Sequence, residues 1–99
     1  MKIVAVTACP TGIAHTYMAA EQLEKTARQL GHRIKVETQG AMGIENELSA
    51  KDIREAAGVI FAADIAVQGR ERFAGLKIVE TGVQEAIKRP EALFARLAK

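Results

Sequence analysis

The run Lys2-Ile3-Val4-Ala5-Val6-Thr7-Ala8-Cys9-Pro10-Thr11-Gly12-Ile13 decides the fold. Ile3-Val4-Ala5-Val6 is continuous, apolar and largely β-branched, the pattern of a strand covered on both faces. Cys9-Pro10-Thr11-Gly12 then breaks the period. Beyond it Ile13, Tyr17, Ala20, Leu23, Ala27 and Leu30 recur at helical spacing, while Glu21, Glu24, Lys25 and Arg28 fall on the other face. A buried strand that turns through proline and glycine straight into an amphipathic helix is the opening of an α/β unit. Gly31 supplies a left-handed helix stop, and His32 and Arg33 suit the negative end of the helix dipole.

Working outward, Ile34-Lys35-Val36-Glu37-Thr38 alternates apolar and polar and reads as a half-exposed edge strand. Residues 39–48 have no clear period and read as a loop. Ser49-Ala50-Lys51-Asp52 resembles a capping box opening a short helix that ends near Gly58. Val59-Ile60-Phe61-Ala62-Ala63 is again an apolar strand, and Lys77-Ile78-Val79-Glu80 a second edge strand. Thr81 to Gln84 has the form of another capping box, and Pro90 suits the first turn of a last helix carrying Leu93, Phe94 and Leu97. Right-handed crossovers then predict a single three-layer α/β domain over residues 1–99, with a four-stranded parallel sheet in the order 2-1-3-4. The loop after the first strand is Rossmann-like or phosphatase-like. Ligands of such sheets bind beyond the carboxyl ends of the strands where the winding reverses, which here lies between the first and third strands.

Composition narrows the classes. With 99 residues, the chain buries roughly two-thirds of its unfolded surface around one small core. No apolar stretch approaches the roughly 20 residues of a membrane span, and the opening strand is too brief for a secretory signal. A cytoplasmic domain is the expectation. One cysteine excludes an internal disulfide and a Cys-rich zinc site, so neither a metal nor a cofactor is expected. A net charge of +2 with 4% aromatic residues and no basic cluster argues against a nucleic-acid partner.

That one thiol falls on the expected site. Cys9 precedes a helix whose first amides are unpaired and whose dipole places positive charge beside the sulfur. Gly12 lets backbone approach closely and Pro10 fixes a turn, so Cys9-Pro10-Thr11-Gly12-Ile13-Ala14-His15-Thr16 forms a cradle for a tetrahedral dianion. The same field stabilises a thiolate and makes the sulfur a nucleophile. Thr11 and Thr16 add hydroxyl donors and His15 a ring donor. Competing structural roles exist: Thr11 as a plain helix cap, His15 as a surface residue, Asp64 as a cap or turn residue rather than an active-edge carboxylate, and Arg70 and Arg72 as solvated charges. Among functions, a cysteine phosphatase needs an arginine where His15 stands. Thiol redox needs a second cysteine, and nucleotide binding needs a glycine or lysine motif that is lacking. A phosphocysteine relay needs what the loop offers.

Val4-Ala5-Val6-Thr7-Ala8-Cys9-Pro10-Thr11-Gly12-Ile13-Ala14-His15-Thr16, with Met18-Ala19-Ala20, closely resembles the fructose-family enzyme IIB domain of the bacterial phosphoenolpyruvate-dependent sugar phosphotransferase system. Val36-Glu37-Thr38-Gln39-Gly40, Gly43-Ile44-Glu45-Asn46 and Ala62-Ala63-Asp64 extend the resemblance along the whole chain. It implies that Cys9 accepts a phosphoryl group from a phosphohistidine of enzyme IIA. Cys9 would pass it to a sugar, typically fructose, on the membrane enzyme IIC. Pro10, Thr11, Gly12, Ile13, Ala14, His15 and Thr16 would bind the phosphate, with Gln39 and Asp64 as candidates at the active edge. The domain would act as a monomer at the inner face of the membrane, docked on or fused to IIC. The alternative is a stand-alone cysteine phosphatase or a phosphate-binding regulatory module.

Overall fold

The structure is a computed structural model describing residues 1–9, 13–41 and 43–99, with Ile13 by its backbone alone. The chain runs β1 (Lys2–Ala8), α1 (Ile13–Gln29), β2 (Arg33–Gly40), β3 (Gly43–Glu45), α2 (Ala50–Arg54), β4 (Gly58–Ala63), a 3₁₀ turn (Arg70–Phe73), β5 (Lys77–Thr81), α3 (Val83–Lys88) and α4 (Pro90–Ala98). The sheet order is β3-β2-β1-β4-β5, with β1 parallel to β2 and to β4, β4 parallel to β5, and β3 antiparallel to β2. Among the described residues the sheet is therefore five-stranded and mixed, not four-stranded and parallel. The missed strand is three exposed residues inside the stretch read as a loop.

β3 also changes the status of β2. Its pairs Thr38↔Glu45, Gln39↔Ile44 and Gly40↔Gly43 cover only the last third of the strand. Arg33 stays exposed, whereas Val36, Glu37, Thr38 and Gln39 are buried. β2 is an edge at its start and an inner strand where it reaches the site.

Strand alternation divides the core in two. Ile3 and Ala5 of β1 and Ile60 and Ala62 of β4 pack under α1, α3 and α4 through Leu23, Val83, Leu93 and Leu97. Val4, Val6, Val59 and Phe61 face the other way, onto Leu48, Ile53 and Phe73 around α2 and the 3₁₀ turn. There Phe61 and Phe73 meet edge-to-face at 5.2 Å, an arrangement contributing about 1 kcal/mol beyond area burial. Gly58 is required by the first layer: a Cβ there would lie 2.6 Å from Leu97 Cδ1 and 3.2 Å from the Lys77 carbonyl.

α1 is rotated from the stripe expected for it. Thr16, Ala19, Ala20, Leu23, Thr26 and Ala27 are buried, while Tyr17 and Leu30 are half exposed. Small alanine and threonine side chains let the helix lie close to the sheet, and the Tyr17 hydroxyl donates to Glu45 of β3 instead of entering the core. The helix ends at Gly31 (φ 79°), with the His32 amide reaching back to the Ala27 carbonyl at 2.8 Å.

α2 has the capping box expected for it. Ser49 Oγ accepts from the Asp52 amide at 3.0 Å, and Asp52 Oδ2 accepts from the Ser49 amide at 2.9 Å and from Lys35 Nζ at 2.9 Å. Ser49→Ala is expected to lower stability by about 1 kcal/mol, read by urea denaturation. No side chain of 81–84 caps α3. Its N-cap is Gly82, and the Val83 amide donates to Asp64 Oδ1 at 3.1 Å instead. Pro90 occupies the first turn of α4.

Candidate functional site

Parallel pairing gathers three strand ends at one edge. Ala8 lies opposite Gln39 on one side and Ala63 on the other. The Cys9 amide donates to the Gln39 carbonyl at 3.3 Å, and the Asp64 amide to the Ala8 carbonyl at 2.9 Å. This pins the chain on leaving β1, where the sheet's winding reverses. Thr7 Oγ1 donates to the Thr16 carbonyl at 3.2 Å, tying the first turns of α1 to β1.

Cys9 is 3% exposed. It floors a depression of about 130 Å³ walled by Gln39, Gly40 and Ile44 on one side and by Ile65 and Gln68 on the other. Ile44 and Ile65 are about two-fifths exposed. These two side chains give the depression an apolar edge open to solvent, as a partner contact requires. A larger hollow of about 590 Å³ lies on the opposite sheet layer, between Leu48, Ile53, Ala74 and Leu76, away from the cysteine.

The sequence-predicted residues divide as follows. Cys9 and Gln39 share the depression. Ala14 and His15 are exposed in the first turn of α1, and Thr16 is buried. Pro10, Thr11 and Gly12 lie outside the described residues, as does the Ile13 side chain. Asp64 sits just past β4 but caps α3 through Val83, so its carboxylate serves the scaffold. Arg70 stays about half exposed, as a solvated charge does, whereas Arg72 is largely withdrawn from solvent. Arg70 forms a two-pronged pair with Glu80 at 2.7 and 2.9 Å and lies over the Phe61 ring. Arg72 forms one with Glu37 at 2.9 and 3.0 Å and lies over Phe73.

Glu37 is the residue the strand pattern hid. It is fully buried, and both oxygens are saturated: Oε1 by Arg72 and the Leu48 amide (2.9 Å), Oε2 by Arg72 and Gln39 Nε2 (2.7 Å). Burial pushes its carboxyl up, but the Arg72 guanidinium and the Leu48 and Gln39 amides outweigh burial and hold it below the ordinary glutamate value. Gln39 carries the arrangement to the rim, since Nε2 donates to the Gln68 carbonyl at 3.0 Å and Oε1 accepts from the Gln68 amide at 2.8 Å. The polar run Val36–Gly40 at a strand's carboxyl end was the available signal.

No group of three metal-ligating side chains occurs among the described residues, and no helix there is long and apolar enough to cross a membrane. The geometry places the chain's one thiol on an open depression, a few residues ahead of α1.

Residues 4–96 match the family described as PTS system, Lactose/Cellobiose specific IIB subunit. The chain belongs to the enzyme IIB family of the phosphotransferase system. It is 52% identical over 96 residues to the PTS system fructose-like EIIB component 2 of Escherichia coli (strain K12), covering 97% of this chain and 91% of that one. It is 54% identical over 92 residues to the PTS system 2-O-alpha-mannosyl-D-glycerate-specific EIIABC component of the same organism, covering 93% of this chain and 14% of that one. A crystal structure of a domain from a fructose-specific IIABC component of Borrelia burgdorferi superposes with TM-score 0.92 at 43% identity, covering 96% of this chain and 90% of that one. The resemblance is thus to fructose-type IIB, and this IIB domain is a phosphotransferase component, a phosphoryl relay of the sugar PTS.

Proposed function

We propose that Cys9 is the phosphoryl carrier. The observation that carries this is position: the chain's one cysteine lies where β1 ends and α1 begins, at the reversal of the sheet's winding. Sulfur attacks the phosphorus of a phosphohistidine on IIA, the P–N bond breaks, and the imidazole leaves. The sugar hydroxyl held by IIC then attacks the same phosphorus, the P–S bond breaks, the thiolate is regenerated, and the hydroxyl proton passes to a base or solvent. Catalysis is in-line positioning with electrostatic stabilisation of the equatorial oxygens by the 10–16 segment, Ala14, His15 and Thr16 included. IIA and IIC use the same rim in turn, Ile44 and Ile65 forming its apolar part. The acceptor is fructose or a fructose-like sugar, in keeping with the fructose-like EIIB relative of which this chain covers 91%. The IIABC relative places IIA, IIB and IIC in one chain, which supports both partners and a working position at the inner membrane face.

A hydrolytic reading lacks its clamp. A cysteine phosphatase holds two phosphate oxygens with an arginine fork, but His15 stands at that position. Arg70 and Arg72 are already engaged on Glu80 and Glu37. Incubation with phosphoenolpyruvate and the upstream carriers decides the matter. The relay takes one phosphate per chain and turns over aryl phosphates slowly; no uptake with rapid aryl phosphate hydrolysis overturns it. His15→Ala is expected to slow transfer ten- to a hundredfold, the loss of one hydrogen bond to a charged group, without lowering the melting temperature, since His15 is exposed. An unchanged rate would remove His15 from the phosphate site.

A further inference from the structure

We infer that the buried Glu37–Arg72 pair is a positioning device for the Cys9 site, acting through Gln39 to hold the 65–69 segment against the cysteine. Arg72 does more than neutralise Glu37. Its Nε donates to the Gly69 carbonyl at 2.8 Å and one terminal nitrogen to the Gln68 carbonyl at 3.0 Å, so the guanidinium that grips the strand also clamps the loop. Glu37 holds Gln39 Nε2 at 2.7 Å, and Gln39 brackets the Gln68 peptide at both its N–H and C=O. The Gln39 carbonyl in turn accepts from the Cys9 amide. One carboxylate therefore fixes both walls of the depression, with Cys9 between them. The fork geometry is essential: five N–H donors in a plane serve a carboxylate and two carbonyls at once, which an ammonium cannot do.

The test uses Arg72→Lys, which keeps the positive charge, and Gln39→Met, which keeps the volume but ends the bracket around Gln68. Two readouts are independent of phosphoryl chemistry: amide hydrogen exchange at Gln68 against Val4 and Val6 of β1, and alkylation of Cys9 by iodoacetamide. The expected result is that each single variant exchanges Gln68 and alkylates Cys9 roughly tenfold faster, the scale of losing the hydrogen bonds that hold the Gln68 peptide, with β1 protection unchanged. The double variant goes no further than the stronger single one, because both act along one path. Unchanged Gln68 exchange and alkylation, or β1 losing protection in parallel, overturns the positioning role. So do effects that multiply in the double variant. A kinetic arm rests on the proposed relay: KM for phosphorylated IIA rises about tenfold in Arg72→Lys while kcat stays within about threefold, and an unchanged KM counts against the device. Wild type that takes no phosphate overturns the relay, whereas exchange and alkylation still decide the role of the pair.

Discussion

Cys9→Ser abolishes phosphate acceptance from phosphorylated IIA, lowering the rate by a factor on the order of 10⁴ or more, the scale seen when an enzymatic nucleophile is removed. Serine fills nearly the same volume at a site 3% exposed, but its hydroxyl is a far weaker nucleophile than a thiolate. The backbone that places residue 9, from the Cys9 amide to the Gln39 carbonyl, survives the change. The variant should therefore keep its melting temperature within a few degrees and still compete with wild type for IIA. A Cys9→Ser protein that accepts phosphate at the normal rate would move the carrier role elsewhere.

The second large effect concerns stability. Glu37→Leu removes the carboxylate and leaves the Arg72 guanidinium, whose side chain is 24% exposed, without its counter-charge. Breaking a buried pair in this way costs about 3–5 kcal/mol, a large share of the 5–15 kcal/mol that holds a small domain folded. Replacing both residues, Glu37→Leu with Arg72→Leu, recovers most of that loss, because the strand environment around Phe61 and Phe73 accepts apolar groups. Urea titration of the three proteins separates the outcomes. The pH dependence follows in sign. Glu37 titrates lower in the folded protein than in the unfolded chain, so its contribution is complete above the ordinary glutamate value and disappears as pH falls through the folded one. Acid therefore destabilises wild type more than the double variant, and equal acid sensitivity would contradict the pairing.

The apolar skeleton was legible from sequence because its signals are local. Ile3-Val4-Ala5-Val6 and Val59-Ile60-Phe61-Ala62 read as strands buried on both faces, and Ser49 with Asp52 read as a cap that depends on residues three apart. What failed needed distant partners. β3 is a strand only because β2 lies beside it. α3 is capped by Asp64, 19 residues upstream, so 81–84 carried a false signal. Glu37 looked like the polar half of an alternating edge strand, because its partner Arg72 is 35 residues away and paired charges are invisible to periodicity. A separation of 29 residues likewise concealed the Gln39–Gln68 bracket. At the site, the cysteine was evident from its neighbours, while the far wall of its depression was not.

A phosphorus–sulfur bond at Cys9 is the central step of the relay, and phosphorus NMR of the wild-type domain after incubation with phosphoenolpyruvate, the upstream carriers and IIA observes that bond directly. The prediction is one new resonance with the shift and acid stability of an S-phosphate, absent from Cys9→Ser and discharged when sugar-loaded IIC is added. A phosphohistidine resonance on this domain at His15 or His32, or no protein-bound phosphate at all, would contradict it.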